Sequence, residues 1–140
     1  MNSKEGVIER LVEFGIKRSM QRIAIMEYLM QHLTHPTADD IFSDLFPSVP
    51  TLSKTTVYNT LKVFENKGAI QSISIDEKNQ RYDADISHHA HFKCKKCGNV
   101  YDICFKENTV FEIIDTGDFI LTECQVYYKG YCKHCKNVSD

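Results

Sequence analysis

The sequence predicts an α+β fold in two parts, a helical part with a hairpin over residues 1–83 and a smaller α/β part over residues 84–140. The first observation behind this division is a change of period. Apolar residues recur at helical spacing as far as Gly68 and alternate with polar residues from Ser72 onward. The second is that all six cysteines lie in the smaller part, where four of them form two Cys-x-x-Cys pairs.

The bulk composition narrows the class of protein. Of 140 residues, 42% are hydrophobic and 26% are charged, which is the balance of a folded globular chain. No apolar run reaches the roughly eighteen residues of a membrane span, and the first residues lack the apolar block of a secretory signal. We therefore expect a cytoplasmic protein, in which cysteines serve as metal ligands or redox centres more often than as disulfides. The net charge of −2, with −1 in each part, does not favour a nucleic-acid partner, so any DNA affinity must come from a local basic face.

The first two helices follow from the spacing of apolar residues. One ends near Gly15, and the next runs from Met20 to about residue 33. Four apolar residues of the second helix step by three and four, as a single buried face requires. They are Ile23, Met26, Met30 and Leu33.

The third and fourth helices are marked by their caps. Thr37 and Asp40 have the spacing of a capping box. Ser53 can cap a fourth helix over residues 54–67, which Gly68 closes. The predicted buried faces are Ile41, Phe42, Leu45 and Phe46 on the third helix, and Val57, Leu61 and Phe64 on the fourth.

A hairpin follows the fourth helix. Residues 72–75 alternate polar and apolar side chains, residues 76–79 have turn composition, and residues 80–82 can return as a second strand. Two helices joined by a turn and followed by a hairpin are typical of a winged helix-turn-helix domain. The alternative is a helical domain with an incidental hairpin.

The smaller part has a different pattern. Residues 90–94, 99–103 and 119–128 are predicted strands, and residues 108–115 a helix. This part has few candidate core residues for its length, so we expect it to need a metal ion, a partner subunit, or both.

The two Cys-x-x-Cys pairs predict a structural zinc site. Each pair aims two thiolates at one point, and two pairs complete a tetrahedral site with no open position. The four ligands would be Cys94, Cys97, Cys132 and Cys135. A redox pair or two disulfides are the alternatives; the first would open a helix in a thioredoxin-like unit and the second would need an oxidising compartment. Cys104 and Cys124 are left over, most simply as buried small hydrophobic residues, otherwise as redox centres.

Histidines and carboxylates predict a second, different metal site. In a strand, His89 and His91 point to the same side, as two ligands of one ion would. His35, Asp83 and Asp102 are further candidate ligands that the same fold could bring near. Imidazole and carboxylate without sulfur suit Fe(II), Mn(II) or Zn(II). Each histidine alone could instead be an ordinary surface or core residue.

These residues resemble the ferric uptake regulator family, and most closely its peroxide-sensing branch. The matching stretches are residues 17–22, 35–41, 55–61, 81–83, 89–94 and 97–98, together with Asp102. The resemblance implies a homodimeric repressor that binds a palindromic operator when its sensing metal, Fe(II) or Mn(II), is present. It also implies zinc on the four paired cysteines, and a sensing site of His35, Asp83, His89, His91 and Asp102, with a hinge near residues 83–87.

The choice of branch rests on fewer residues. Asp102 and Asn59 are similar to the peroxide sensors, where iron regulators usually carry Glu and Arg. A further metal site of the iron regulators is interrupted here, at Ala90, Thr109 and Cys124, although its His88 is present. The peroxide reading implies oxidation of His35 or His89 to oxo-histidine, loss of iron and release of DNA. Iron-uptake regulation is the alternative, followed by zinc or manganese sensing.

Polar residues near the start of the fourth helix predict a DNA-recognition surface, because that end of the helix usually enters the major groove. Tyr58 resembles the family's tyrosine that packs on thymine methyl groups, and Asn59 could read adenine. The predicted base contacts are Lys54, Thr55, Thr56, Tyr58 and Asn59, and the predicted phosphate contacts are Lys17, Arg18, Arg22 and Lys62. Each of them alone could be a solvated surface residue.

Other classes of function fit less of the sequence. An enzyme is disfavoured because we find no nucleophile–base motif, no phosphate loop and no turnover site separate from the metal ligands. A zinc-binding interaction module without DNA contact fits the cysteines but not the winged helix. The expected partners are double-stranded operator DNA and a second copy of the chain, with no membrane and no small molecule other than hydrogen peroxide as a signal.

Overall fold

The computed structural model divides the chain into two units, Met1–Ser87 and His88–Asp140. It describes residues 4–75, 79–87, 89–104, 117–120 and 124–136, and within them no helix is long and apolar enough to cross a bilayer. The described helices are α1 (Lys4–Glu13), α2 (Met20–Gln31), α3 (Ala38–Leu45) and α4 (Lys54–Asn66). The described strands are β1 (Gln71–Ile73), β2 (Arg81–Asp83), β3 (Ala90–Cys94), β4 (Val100–Ile103) and β5 (Tyr127–Gly130).

The caps of α3 and α4 confirm the predicted helix starts. Thr37 Oγ1 accepts a hydrogen bond from the Asp40 amide at 3.1 Å, and Asp40 Oδ2 accepts one from the Thr37 amide at 3.0 Å. Ser53 Oγ accepts a hydrogen bond from the Thr56 amide at 3.1 Å. Such caps stabilise a helix by about 1 kcal/mol each, because they satisfy amides that have no partner inside the helix.

The hairpin of the first unit confirms the winged helix. β1 and β2 are antiparallel, with Gln71 opposite Asp83 and Ile73 opposite Arg81. The predicted turn between them lies partly outside the described residues. Arg10 of α1 holds the base of the hairpin, because its guanidinium donates to the carbonyl of Ala69 at 2.9 Å and to that of Ala84 on the other side.

The core of the first unit lies between the helices, with the hairpin base against it. The predicted inward face of α4 is confirmed, since Val57, Leu61 and Phe64 are fully buried. On α3 the prediction is only partly right. Ile41 is buried, but Phe46 is 44% exposed because the helix ends at Leu45 and Phe46 follows as its C-cap.

The predicted buried face of α2 is wrong in part. Met26 is buried, but Ile23 and Met30 are half-buried, and Leu33 lies beyond the end of the helix and is 52% exposed. The apolar residues of α2 lie on all sides of the helix, so the sequence is compatible with more than one apolar stripe along it. The stripe that the fold buries consists of Ile25, Met26, Tyr28 and Leu29.

The second unit is built around β3. This strand pairs antiparallel with β4 and parallel with β5. The predicted strand at 90–94 is confirmed, whereas the one at 119–128 is only partly right: its described residues before Tyr127 are not in a strand, and β5 begins at Tyr127. The predicted helix at 108–115 lies outside the described residues.

The burial of α2 can be tested with two leucines near its C-terminal end. We expect Leu29→Ala to lower the free energy of unfolding by about 2–5 kcal/mol, because Leu29 is fully buried and truncation leaves a cavity. Leu33→Ala is the matched control and should change it by no more than about 0.5 kcal/mol. Urea unfolding measures both. Equal effects would contradict the buried face described above.

Candidate metal centres and nucleic-acid interface

The two cysteine pairs converge at one end of the second unit's sheet. β3 ends at Cys94, and the turn that follows is closed by the Gly98 amide, which donates to the Cys94 carbonyl at 3.0 Å. The second pair lies in a similar turn just after β5, where the Cys135 amide donates to the Cys132 carbonyl at 3.0 Å. Because β3 and β5 are parallel neighbours, both turns leave the sheet at the same end. The four Sγ atoms all lie within 4.8 Å of one another.

The sulfur geometry fits a tetrahedral zinc ion. The Sγ atoms of Cys97 and Cys132 are 3.9 Å apart, and zinc–sulfur bonds of about 2.3 Å place tetrahedral sulfurs about 3.8 Å apart. The amides of Cys132 and Cys97 donate to Cys94 Sγ, each at 3.5 Å, and lower the pKa of the Cys94 thiol to about 6. The hydrogen bond to Cys132 raises the pKa of the Cys135 thiol to about 12, and a bound cation would favour its thiolate.

A second cluster in this unit combines imidazole and carboxylate. The register of β3 and β4 places His91 directly opposite Asp102, and His89 lies one pleat before His91. Asp102 Oδ1 is 3.2 Å from His89 Nε2 and 3.5 Å from His91 Nε2. Both histidine side chains are at least 95% buried, while Asp102 keeps 31% of its side chain exposed. Asp102 Oδ1 therefore lies near an imidazole nitrogen of each histidine, and these are donor types that a metal ion accepts.

The first unit contains a buried histidine–carboxylate pair. His35 Nε2 lies 3.5 Å from Asp83 Oδ2, and both side chains are almost completely buried. The Asp85 amide donates to the other oxygen, Asp83 Oδ1, at 2.9 Å. This bond orients the carboxylate so that Oδ2 faces the imidazole. The pair offers one nitrogen and one oxygen donor to a metal ion.

The backbone of His35 has an uncommon conformation. Its φ is +63°, in the left-handed region that residues other than glycine rarely occupy. Its carbonyl accepts a hydrogen bond from Arg81 Nη1 at 3.0 Å, and the next carbonyl, of Pro36, accepts one from the Tyr82 amide at 3.0 Å. Thr37 forms an isolated β-bridge with Arg81. The loop that carries His35 is therefore bound along β2, the strand that ends at Asp83.

The segment expected to act as a hinge, residues 83–87, is bonded within the first unit. Asp85 Oδ1 accepts a hydrogen bond from the Ser87 amide at 2.9 Å. The side-chain amide of Gln71 donates to the Asp85 carbonyl at 2.8 Å. The first unit consequently extends to Ser87, four residues beyond the end of β2.

The two cysteines outside the Cys-x-x-Cys pairs differ from the prediction. Cys104 and Cys124 are exposed, so the prediction that they are buried small hydrophobic residues is wrong. Cys104 directly follows the end of β4 and Cys124 precedes β5, so neither lies within a strand of the sheet. His88 and Thr109 lie outside the described residues.

Several predicted DNA contacts line one depression of about 400 Å³ in the first unit, between the start of α2 and one side of α4. The lining includes Lys17, Arg18, Arg22, Thr56 and Asn59. Sequence reasoning missed three further polar residues of this lining, Ser19, Gln21 and Thr60. Ser19 could have been found from its position, because a serine directly before a predicted helix start is a preferred N-cap, and its side chain accepts a hydrogen bond from the Arg22 amide.

The other predicted contacts lie outside this lining. Tyr58 projects from α4 with 51% of its surface exposed, and Thr55 and Lys62 are exposed as well. Lys54 already has partners: its Nζ is 3.8 Å from Asp39 Oδ1 and 5.8 Å from the Phe42 ring centre. Lys54 nevertheless keeps 62% of its side chain exposed, and Asn59 is exposed as well.

The sequence has well-characterised relatives. Residues 13–129 match the Ferric uptake regulator family. Over 134 residues the chain is 34% identical to the peroxide-responsive repressor PerR of Staphylococcus epidermidis, which covers 94% of this chain and 89% of that protein.

Solved structures agree with this assignment. The peroxide-sensing PerR of Streptococcus pyogenes is 30% identical with a TM-score of 0.52, covering 96% of this chain and 94% of that one. The ferric uptake regulator Fur of Helicobacter pylori, described with three functional metal binding sites, is 23% identical with a TM-score of 0.75, covering 99% and 97%, and supports the fold alone. Because the family match spans most of its length, the chain belongs to the ferric uptake regulator family, whose members are metal-responsive regulators.

Proposed function

We propose that this chain is a homodimeric repressor that binds operator DNA when a regulatory metal is present and releases it when hydrogen peroxide oxidises the metal site. The observation that carries the proposal is the pair of sulfur-free donor clusters, one in each unit, beside a separate four-cysteine site. Regulators of this family are DNA-binding dimers, and the relatives at 30–34% identity are peroxide-responsive repressors.

The first unit is the DNA-binding domain in this proposal, and the second is the dimerisation domain. The chain has a net charge of −2, so the attraction for DNA must be local. Lys17, Arg18 and Arg22 supply that local charge at the depression, where they would contact phosphates. Tyr58 and Asn59 of α4 would reach base edges in the major groove, since both are exposed near the start of that helix.

We assign zinc to the four paired cysteines as a structural ion. The site is closed, because all four tetrahedral positions would be taken by sulfur. It would join the end of β3 to the turn after β5 and stabilise a unit that has few core residues. Its contribution to folding can be on the order of 10 kcal/mol.

We assign the regulatory metal, Fe(II) or Mn(II), to His35 and Asp83 together with His89, His91 and Asp102. These are the donor types that such ions accept. An ion that takes ligands from both units would hold the two winged helices of a dimer at one separation, and a palindromic operator fits one separation only.

The peroxide response requires chemistry at a ligand. Fe(II) held by these residues would supply the electrons that activate hydrogen peroxide. In the net change, one oxygen atom is transferred to the imidazole of His35 or His89, and water is released. The oxidised ring is a poorer ligand, so the site opens and the repressor leaves its operator. Iron sensing without ligand oxidation is the competing function, and it is separated by the third experiment below.

The zinc assignment is tested by removing one sulfur. We expect Cys97→Ser to be purified without zinc and to unfold at a lower temperature, because three sulfurs and a hydroxyl hold zinc poorly. Cys104→Ser is the control, since Cys104 is exposed and outside the cluster. Metal analysis and thermal unfolding measure both. Full zinc content in Cys97→Ser would contradict the assignment.

The regulatory assignment is tested at His35. We expect His35→Ala to lose Mn(II)-dependent binding to an operator duplex, selected from random sequences in the presence of Mn(II), while zinc content stays unchanged. The control is His32→Ala, three residues away on the exposed surface of the same unit. Gel-shift titration measures the affinity. Operator binding by His35→Ala as tight as that of the wild type would refute the assignment.

The proposed peroxide response is tested by mass spectrometry of peptides. After Fe(II) loading and exposure to hydrogen peroxide, peptides that contain His35 or His89 should gain one oxygen atom, and operator binding should fall in proportion. Mn(II)-loaded protein treated in the same way should gain none, because Mn(II) resists this chemistry. Loss of Fe(II)-dependent binding without any added oxygen would favour iron sensing.

A further inference from the structure

The geometry points to Arg81 as a positioning residue for the regulatory metal, acting through the backbone of His35. This inference rests on the proposed function, because it takes His35 as a ligand. Arg81 is not itself a ligand: a guanidinium carries a positive charge and no acceptor. Its Nη1 instead donates to the carbonyl of His35 at 3.0 Å, across 46 residues of sequence.

The contact matters because His35 lies in a conformation that it would not adopt in isolation. Its φ of +63° belongs to the left-handed region, and the residue that follows is a proline, which favours extended backbone at the position before it. A strained conformation persists only when its surroundings hold it. The direction of the imidazole depends on this backbone, since φ fixes where Cβ points.

Two contacts fasten the loop to β2. The Arg81 side chain donates to the His35 carbonyl, and the Tyr82 amide donates to the Pro36 carbonyl within the isolated bridge between Thr37 and Arg81. Two residues further along β2, Asp83 presents Oδ2 to His35 Nε2 at 3.5 Å. Arg81 therefore fixes the loop that carries the imidazole to the strand that carries the carboxylate.

If Arg81 positions His35, its replacement should change the metal affinity in the opposite direction to the change expected from its positive charge alone. If Arg81 acted only as a nearby positive charge, its removal would strengthen the binding of a divalent cation. If it positions His35, its removal frees the loop and weakens binding. Loss of a group that orients a metal ligand typically costs about 10- to 100-fold in metal affinity.

The experiment uses the full-length, zinc-loaded protein and Mn(II) alone, with free Mn(II) followed by electron paramagnetic resonance. We expect Arg81→Met to bind Mn(II) about 10-fold or more weakly, and Arg81→Lys, which can still donate to the carbonyl, to recover most of the affinity. Lys67→Met, which removes a positive charge at the exposed end of α4, should bind as the wild type does. Without Mn(II), the Tyr82 amide of Arg81→Met should exchange its hydrogen faster than in the wild type.

Affinity of Arg81→Met equal to or tighter than that of the wild type would overturn the inference. His35→Ala in the same titration distinguishes a failure of the proposed metal site from a failure of the inferred role of Arg81. If His35→Ala binds normally, the proposed site is itself wrong; if it binds weakly and Arg81→Met does not, only the role of Arg81 is wrong. Zinc content and melting temperature report folding. Should Arg81→Met not fold, Arg81→Gln, whose side chain is too short to reach the carbonyl, takes its place under the same criteria.

Discussion

The register of β3 against its two neighbours is the constraint on which both donor clusters of the second unit depend. Pairing with β4 places His91 opposite Asp102, and parallel pairing with β5 brings the turn after Gly130 beside the turn after Cys94. A slip by one residue would turn the histidines to the other face of the sheet and separate the cysteine turns. A zinc ion between those turns would lock the register, and it would thereby fix the imidazole–carboxylate cluster at the opposite end of the strand.

In the first unit, hydrogen bonds hold the candidate metal ligands in place. Its helices pack around a core that includes Leu61 and Phe64, and the hairpin base is held by Arg10. Along β2, the loop of His35 is bound beside the carboxylate of Asp83. The hydrogen bonds thus order both donors of this unit. Under the proposed function, this order would favour binding of the regulatory ion, because less conformational entropy is lost on binding.

Local spacing determined what the sequence could predict. The caps at Thr37 and Ser53 and the zinc turns depend on residues three or fewer positions apart, and a short sequence pattern contains all of that information. The buried face of α2 could not be predicted because this helix has apolar residues on all sides. Which of them are buried depends on the elements that pack against the helix. The exposure of Cys104 depends on where the sheet ends, and the bond from Arg81 to His35 joins residues 46 positions apart in the sequence. Neither leaves a local pattern.

The proposed function requires that binding of the regulatory ion set the separation between the two DNA-binding helices of a dimer. The most direct measurement is operator affinity of the wild-type protein with zinc retained and the regulatory ion removed, compared with the same protein after Mn(II) is restored, at constant salt. We expect tight, specific binding only after Mn(II) is added, and weak, sequence-independent binding without it. Equal affinity for the selected operator in both states would contradict it.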